Sequence, residues 1–230
     1  MLSAPALAQE VRAPPDVRAV ENQCKKGVVA ACTNAGVIYL EGMGVPRDTA
    51  KGVAFFQRAC DGGHPRGCSN LGITHVKDSL TESEAKDAVH LLERGCNEND
   101  ALGCRSLGWM YDHGHGVKAD AARAAQLYAK ALALYQKDCG TGDGRACTMV
   151  GLSAGEGKGA GRDDKRAVEF YQRGCDLRDG LGCKYLAEAY EQGTGITRDR
   201  IQALAVRNKA CAIGYTPACG ARARPASARP

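Results

Sequence analysis

Cysteine is the residue type with the most chemistry to offer in this chain, and its spacing is regular. Twelve cysteines form six pairs, Cys24 and Cys32, Cys60 and Cys68, Cys96 and Cys104, Cys139 and Cys147, Cys175 and Cys183, Cys211 and Cys219, each partner eight positions after the first. Paired thiols either oxidise to a disulfide or ligate a metal. Zinc sites favour two to four residues between paired ligands and need four ligands that converge. Here seven residues intervene, and the five histidines (His64, His75, His90, His113, His115) do not recur in register with the pairs. The spacing therefore favours six local disulfides, which persist in an oxidising compartment. A continuous helix would hold Cα atoms eight residues apart at about 12 Å, beyond the roughly 7 Å limit for a bridge. The chain must turn inside each pair, and Asp61-Gly62-Gly63-His64-Pro65-Arg66-Gly67 is composed of turn formers. Asp112-His113-Gly114-His115 is the other cluster of ligand types. It falls where a loop between helices is expected and reads as a solvated turn, so no metal and no other cofactor is expected.

The elements that position these cysteines repeat with them. Successive pairs start 36, 36, 43, 36 and 36 residues apart, the mark of a solenoid of one supersecondary unit with a single seven-residue insertion. Three positions after the second cysteine stand Ala35, Leu71, Leu107, Val150 and Leu186, followed by the small residues Gly36, Gly72, Gly108, Gly151 and Ala187. This spacing predicts a first helix, A, whose mid-helix glycine admits a close neighbour. Gly42-x-Gly44, Gly114-x-Gly116, Gly157-x-Gly159 and Gly193-x-Gly195 then stop the helix. Their recurrence between helices makes them structural and not a phosphate loop. One acid follows in each unit, Asp48, Glu84, Asp120, Asp163 and Asp199, placed to cap a second helix, B. Helix B carries the pairs Phe55-Phe56, Leu91-Leu92, Leu127-Tyr128, Phe170-Tyr171 and Val206-Arg207. The insertion, around Leu132 to Asp138, adds two helical turns, about 10.5 Å, to the third B helix, which should project beyond its neighbours.

Composition bounds the rest. The net charge is +5, but Arg222, Arg224 and Arg229 of the tail supply three of these charges and leave +2 for the remainder, too little for a nucleic-acid footprint. Residues 220–230 read as a disordered basic tail, 16–219 as the solenoid, and 1–15 as a remnant signal and linker. Within the last, Ala6-Leu7-Ala8 resembles a signal-peptidase site whose apolar stretch would lie upstream. No segment reaches the roughly 18 apolar residues of a membrane span.

The Leu71-Gly72 and Leu107-Gly108 pairs, the Tyr111-x-x-Gly114-x-Gly116-Val117 string, the downstream acid and the cysteine pairs resemble the Sel-1-like repeat family, a relative of tetratricopeptide repeats. The cysteine pairs are most similar to its secreted, cysteine-rich Hcp-type branch. The resemblance covers Cys24 to Cys219 except Asp78-Ser79-Leu80, where the second unit lacks the glycine loop. It implies an all-α, right-handed α/α superhelix of five to six 36-residue hairpins with a concave groove that binds protein or peptide. It implies a periplasmic or secreted location, with the mitochondrial intermembrane space as the alternative suggested by an assembly factor of the same family. A peptidoglycan-related or other cell-wall ligand fits the same groove. Some members of the branch are described as penicillin-binding or weakly β-lactam-hydrolysing. Only Ser83-Glu84-Ala85-Lys86 fits the Ser-x-x-Lys element of a serine β-lactamase, and Thr81 to Glu84 reads better as a capping box. No catalytic residue is therefore assigned. The candidate binding residues are Asn34, Asn70, Arg105 and Trp109 on the face of helix A beside the core, Trp109 being equally explained as packing between repeats.

Overall fold

The computed structural model describes residues 16–77 and 81–219. The linker expected at 1–15, the tail expected at 220–230 and the Asp78-Ser79-Leu80 departure lie outside the described residues. Helix α1 is Val17–Lys25, and five hairpins follow: α2 (Val29–Glu41) with α3 (Thr49–Asp61), α4 (Pro65–Lys77) with α5 (Glu82–Asn97), α6 (Ala101–His113) with α7 (Ala121–Gly140), α8 (Gly144–Glu156) with α9 (Asp164–Asp176), and α10 (Gly180–Gln192) with α11 (Arg200–Ala212). A short 3-10 turn, Thr216–Ala218, carries the chain to the last cysteine. This is the expected α/α solenoid, with even-numbered A helices and odd-numbered B helices.

Helix boundaries follow from side chains that satisfy the first amides of each helix. Asp48, Asp120 and Asp163 each accept a hydrogen bond at 2.9 Å from the third amide of their B helix, and Asp199 accepts two from the start of α11. In the second unit Thr81 is the N-cap and Glu84 closes a capping box, so α5 starts one turn early. Sequence reasoning passed over a parallel set. Asp100, Asp143 and Asp179 cap α6, α8 and α10 through 2.9 Å bonds to Gly103, Ala146 and Gly182. Each such cap contributes about 1 kcal/mol.

All six expected disulfides are present. Cys24 is bonded to Cys32, Cys60 to Cys68, Cys96 to Cys104, Cys139 to Cys147, Cys175 to Cys183 and Cys211 to Cys219, with Cα separations from 4.4 to 5.0 Å. In each pair the first cysteine lies at the end of one helix and the second in the first turn of the next or, for Cys219, directly after the closing 3-10 turn, as the turn-forming residues between them require. Cys32, Cys68, Cys104, Cys147 and Cys183 all stand in the first turn of an A helix, and with their partners they are at most 3% exposed. The bridges therefore form part of the core. The mid-helix glycines lie where B-helix rings press in. A Cβ at Gly36 would collide with the Phe56 ring, and one at Gly151 would stand 2.6 Å from Tyr171. A second ladder was not anticipated. Arg94, Lys130 and Arg173 donate to the carbonyls of Cys60, Cys96 and Cys139 at 3.1, 2.8 and 3.0 Å, each placing a cation on the negative end of the preceding B helix.

The insertion displaces the array by two turns. Helix α7 has 20 residues, whereas α3, α9 and α11 have 13. Its added turns do not simply project, because Leu132 and Tyr135 are only 9% and 4% exposed. The displacement is passed to the following unit and can be read from the inter-helix loops. Gly116 lies against the backbone of Ala85, and Gly195 against that of Asp164; the B helices carry a recurring small residue, Gly52, Ala88, Ala124, Ala167 and Ala203, and both contacts fall three residues before it, that is, before Ala88 or Ala167. The matching position for Gly159 is Ala121, yet Gly159 lies against the carbonyl of Tyr128, seven residues further along. Its φ of +85° and this close backbone both demand glycine. Helices α2, α4 and α6 stack in succession and α8 stacks on α10, but among the described residues this A-on-A stacking largely breaks between α6 and α8.

Candidate binding site

The break opens a cleft of about 250 Å³. Ile73 and Val76 of α4, Leu92 of α5 and Met110 of α6 supply its apolar surface, together with Trp109, the only tryptophan. Arg105, Ser106, Tyr128 and Lys158 supply its polar atoms. Lys158 lies in the loop after α8 and reaches the cleft because that loop has slipped onto Tyr128. Its ammonium donates to the Tyr128 hydroxyl at 3.1 Å and stands 3.7 Å from Asp112. Burial raises the Tyr128 pKa, opposed by that bond to Lys158.

Arg105 is held differently from its counterparts. The residue immediately after the second cysteine is Thr33, Ser69, Arg105, Thr148 or Lys184. Where it is threonine, it bonds to the N-cap position of the next A helix: Thr33 to His64 at 2.8 Å and Thr148 to Asp179 at 2.6 Å. Arg105 instead meets the far end of α8, where its Nη2 donates to both Glu156 oxygens at 3.0 and 2.9 Å. The two-turn slip brings that end alongside. Arg105 Nη1 and the Tyr135 hydroxyl are buried without a hydrogen-bond partner among the described residues, and burial pushes the Tyr135 phenol up to about 12.

Of the four residues expected to bind, Arg105 and Trp109 line this cleft, and Asn34 and Asn70 do not. Asn34 is exposed on α2, and Asn70 is half-buried on α4. Counted from the second cysteine, Arg105 stands one position earlier than Asn34 and Asn70, whose true counterpart is Ser106. Lys158, Tyr128 and Ser106 were missed. The signal for them was the seven-residue phase shift, carried through to the loop that follows it. Trp109 is half-buried and lines the cleft. His113 and His115 stack on its indole at centroid distances of 4.5 and 4.9 Å. Among the described residues no three His, Cys, Asp or Glu side chains converge to hold a metal.

Ser83 is exposed in the first turn of α5, inside the Thr81/Glu84 capping box, and the Lys86 ammonium is bound to Glu82 at 2.7 Å. A lysine engaged by a carboxylate one turn earlier is poorly placed to activate a serine nucleophile. Ser83→Ala is therefore expected to leave any β-lactam turnover by the purified protein unchanged in a nitrocefin assay. Loss of a robust rate in the folded variant would make Ser83 catalytic.

The Sel1 repeat profile matches residues 29–64, 101–135, 144–179 and 181–205, more than half of the chain, and passes over the second unit. No curated protein sequence matches the chain. Among solved structures, a putative Sel1 repeat protein from Klebsiella pneumoniae is 19% identical, with a TM-score of 0.55 over 88% of this chain and 95% of its own. The c5321 protective antigen of uropathogenic Escherichia coli, which displays an SLR fold, is 26% identical, with a TM-score of 0.46 over 86% of this chain. The present chain spans about two-fifths of its length, 41%. Cysteine rich protein B of Helicobacter pylori is 26% identical, with a TM-score of 0.38 over 62% of this chain and 97% of its own. With repeated profile matches, A/B hairpins in series and a disulfide at every junction, the chain belongs to the Sel1 repeat family.

Proposed function

We propose that this protein is a disulfide-stapled scaffold of an extracytoplasmic compartment, the periplasm or the secreted milieu, which binds a protein or peptide segment along its A helices and anchors it at the α6/α8 step. The observation that carries this reading is the cleft, an apolar recess with a half-buried tryptophan and two cations, set where the regular stacking of A helices is interrupted. Repeat arrays present extended surfaces of this kind, and tryptophan and arginine dominate binding energy at such surfaces. The twelve buried or half-buried cysteines accord with an oxidising compartment. Catalysis is not part of this reading, since the family is defined by a structural repeat and the one serine candidate serves as a helix start.

Trp109 is its own reporter, because no other tryptophan contributes to emission. Titration with a peptide library is expected to shift or quench that emission. Surface-immobilised binding of the same peptides should weaken roughly tenfold or more in Trp109→Ala, and by a smaller factor in Asn70→Ala, with circular dichroism unchanged. Binding unaffected by Trp109→Ala would place the partner elsewhere.

A further inference from the structure

We infer that the step cleft recognises a chain terminus: a peptide whose last residue carries a large apolar side chain beside a free α-carboxylate. This rests on the groove reading above and assigns the ligand chemistry of its anchor. At about 250 Å³ the cleft is smaller than the pockets of roughly 300–1,000 Å³ that enclose drug-sized ligands, and it suits one side chain. The indole of Trp109 and the side chains of Ile73, Val76 and Met110 supply the apolar contact.

The charges give the rest. Both ionised side chains that line the cleft are cationic, Arg105 and Lys158, whereas their carboxylate partners, Glu156 and Asp112, do not line it. Glu156 engages only Nη2 of Arg105 among the described bonds, and it fixes the guanidinium plane. Nη1 is buried and has no partner among the described residues. A buried donor on a fixed cation is costly to leave unmade and strong when a carboxylate supplies the acceptor. A peptide end brings an apolar group and a carboxylate within one residue of each other, whereas an internal acidic residue separates the carboxylate from any apolar neighbour by backbone. Arg105 is already held by Glu156, and the carboxylate reaches the buried Nη1 through a small local opening of the cleft wall.

Trp109 fluorescence provides the test. The probes are heptapeptides ending in Phe or Leu with a free carboxylate, the same peptides amidated at the C-terminus, and amidated peptides with an internal Asp or Glu. The free-acid peptides are expected to bind, with amidation weakening them about tenfold to a hundredfold, the range of a charge-assisted hydrogen bond. Arg105→Gln should produce a similar loss and erase the distinction between acid and amide. Lys158→Met, which leaves the Arg105–Glu156 pair intact, should narrow it and serves as the control if Arg105→Gln unfolds. Equal binding of acid and amide would overturn the terminus inference and leave the groove reading standing, as would tighter binding of the internal acidic peptides. Failure of every peptide, short or long, to perturb Trp109 would overturn both.

Discussion

Reduction of the six disulfides is expected to unfold the protein at physiological temperature. In the chain-entropy description each bridge closes a loop of about nine residues and contributes about 2–3 kcal/mol. Six together approach or exceed the whole stability of an ordinary domain, about 5–15 kcal/mol. A solenoid has little reserve, because each unit touches only its neighbours, and here the bridges sit where unit meets unit. The Cys96–Cys104 bridge is the most informative to remove alone, since it enters α6 directly before Arg105. Replacing both cysteines by serine should lower Tm by roughly 5–10 °C, from the usual 2–4 °C per kcal/mol for a chain of this size. Thermal melts followed by circular dichroism, with and without dithiothreitol, read both effects. A reduced protein with an unchanged melt would show that packing alone holds the array.

The unit of this fold was legible because its constraints are local. A turn within each cysteine pair, glycines that end the A helices and small residues beneath B-helix rings are all properties of a short stretch, and each recurs with the repeat unit, the glycine loop of the second unit excepted. The position of the insertion was legible too, since Lys130-Ala131 already matches Lys209-Ala210, which directly precedes Cys211. The relation between units was harder to read. Two added turns preserve which way α7 faces but move everything after Cys139 along its axis, so Lys158 meets Tyr128 and Asp112 of the third unit. Arg105 was grouped with Asn34 and Asn70 because all three are polar and near the second cysteine. Its register is that of Thr33 and Thr148, and the displaced α8 brings Glu156 within reach of an arginine there. The caps at Asp100, Asp143 and Asp179 were passed over for a different reason. They lie inside the cysteine loops, where aspartate reads as a turn residue before it reads as a cap.

The step should also be removable. Excising Leu132 to Asp138 leaves Lys130-Ala131-Cys139, the same arrangement as Lys209-Ala210-Cys211, and restores the 36-residue spacing. Helix α8 would then stack on α6 as α4 stacks on α2, with Gly159 returning from Tyr128 to the level of Ala121. Arg105 would face Asp143, as Thr148 faces Asp179. Lys158 would move about 10.5 Å along the α7 axis and leave the cleft. The most direct measurement is the response of Trp109 emission to binding peptide in this seven-residue deletion, with circular dichroism and disulfide mapping on the same sample. The predicted result is a folded, helical protein with six Cys-x7-Cys bridges and an anchor response lost or weakened at least tenfold. A folded deletion variant that binds as well as the intact chain would contradict the assignment of the step as the binding site.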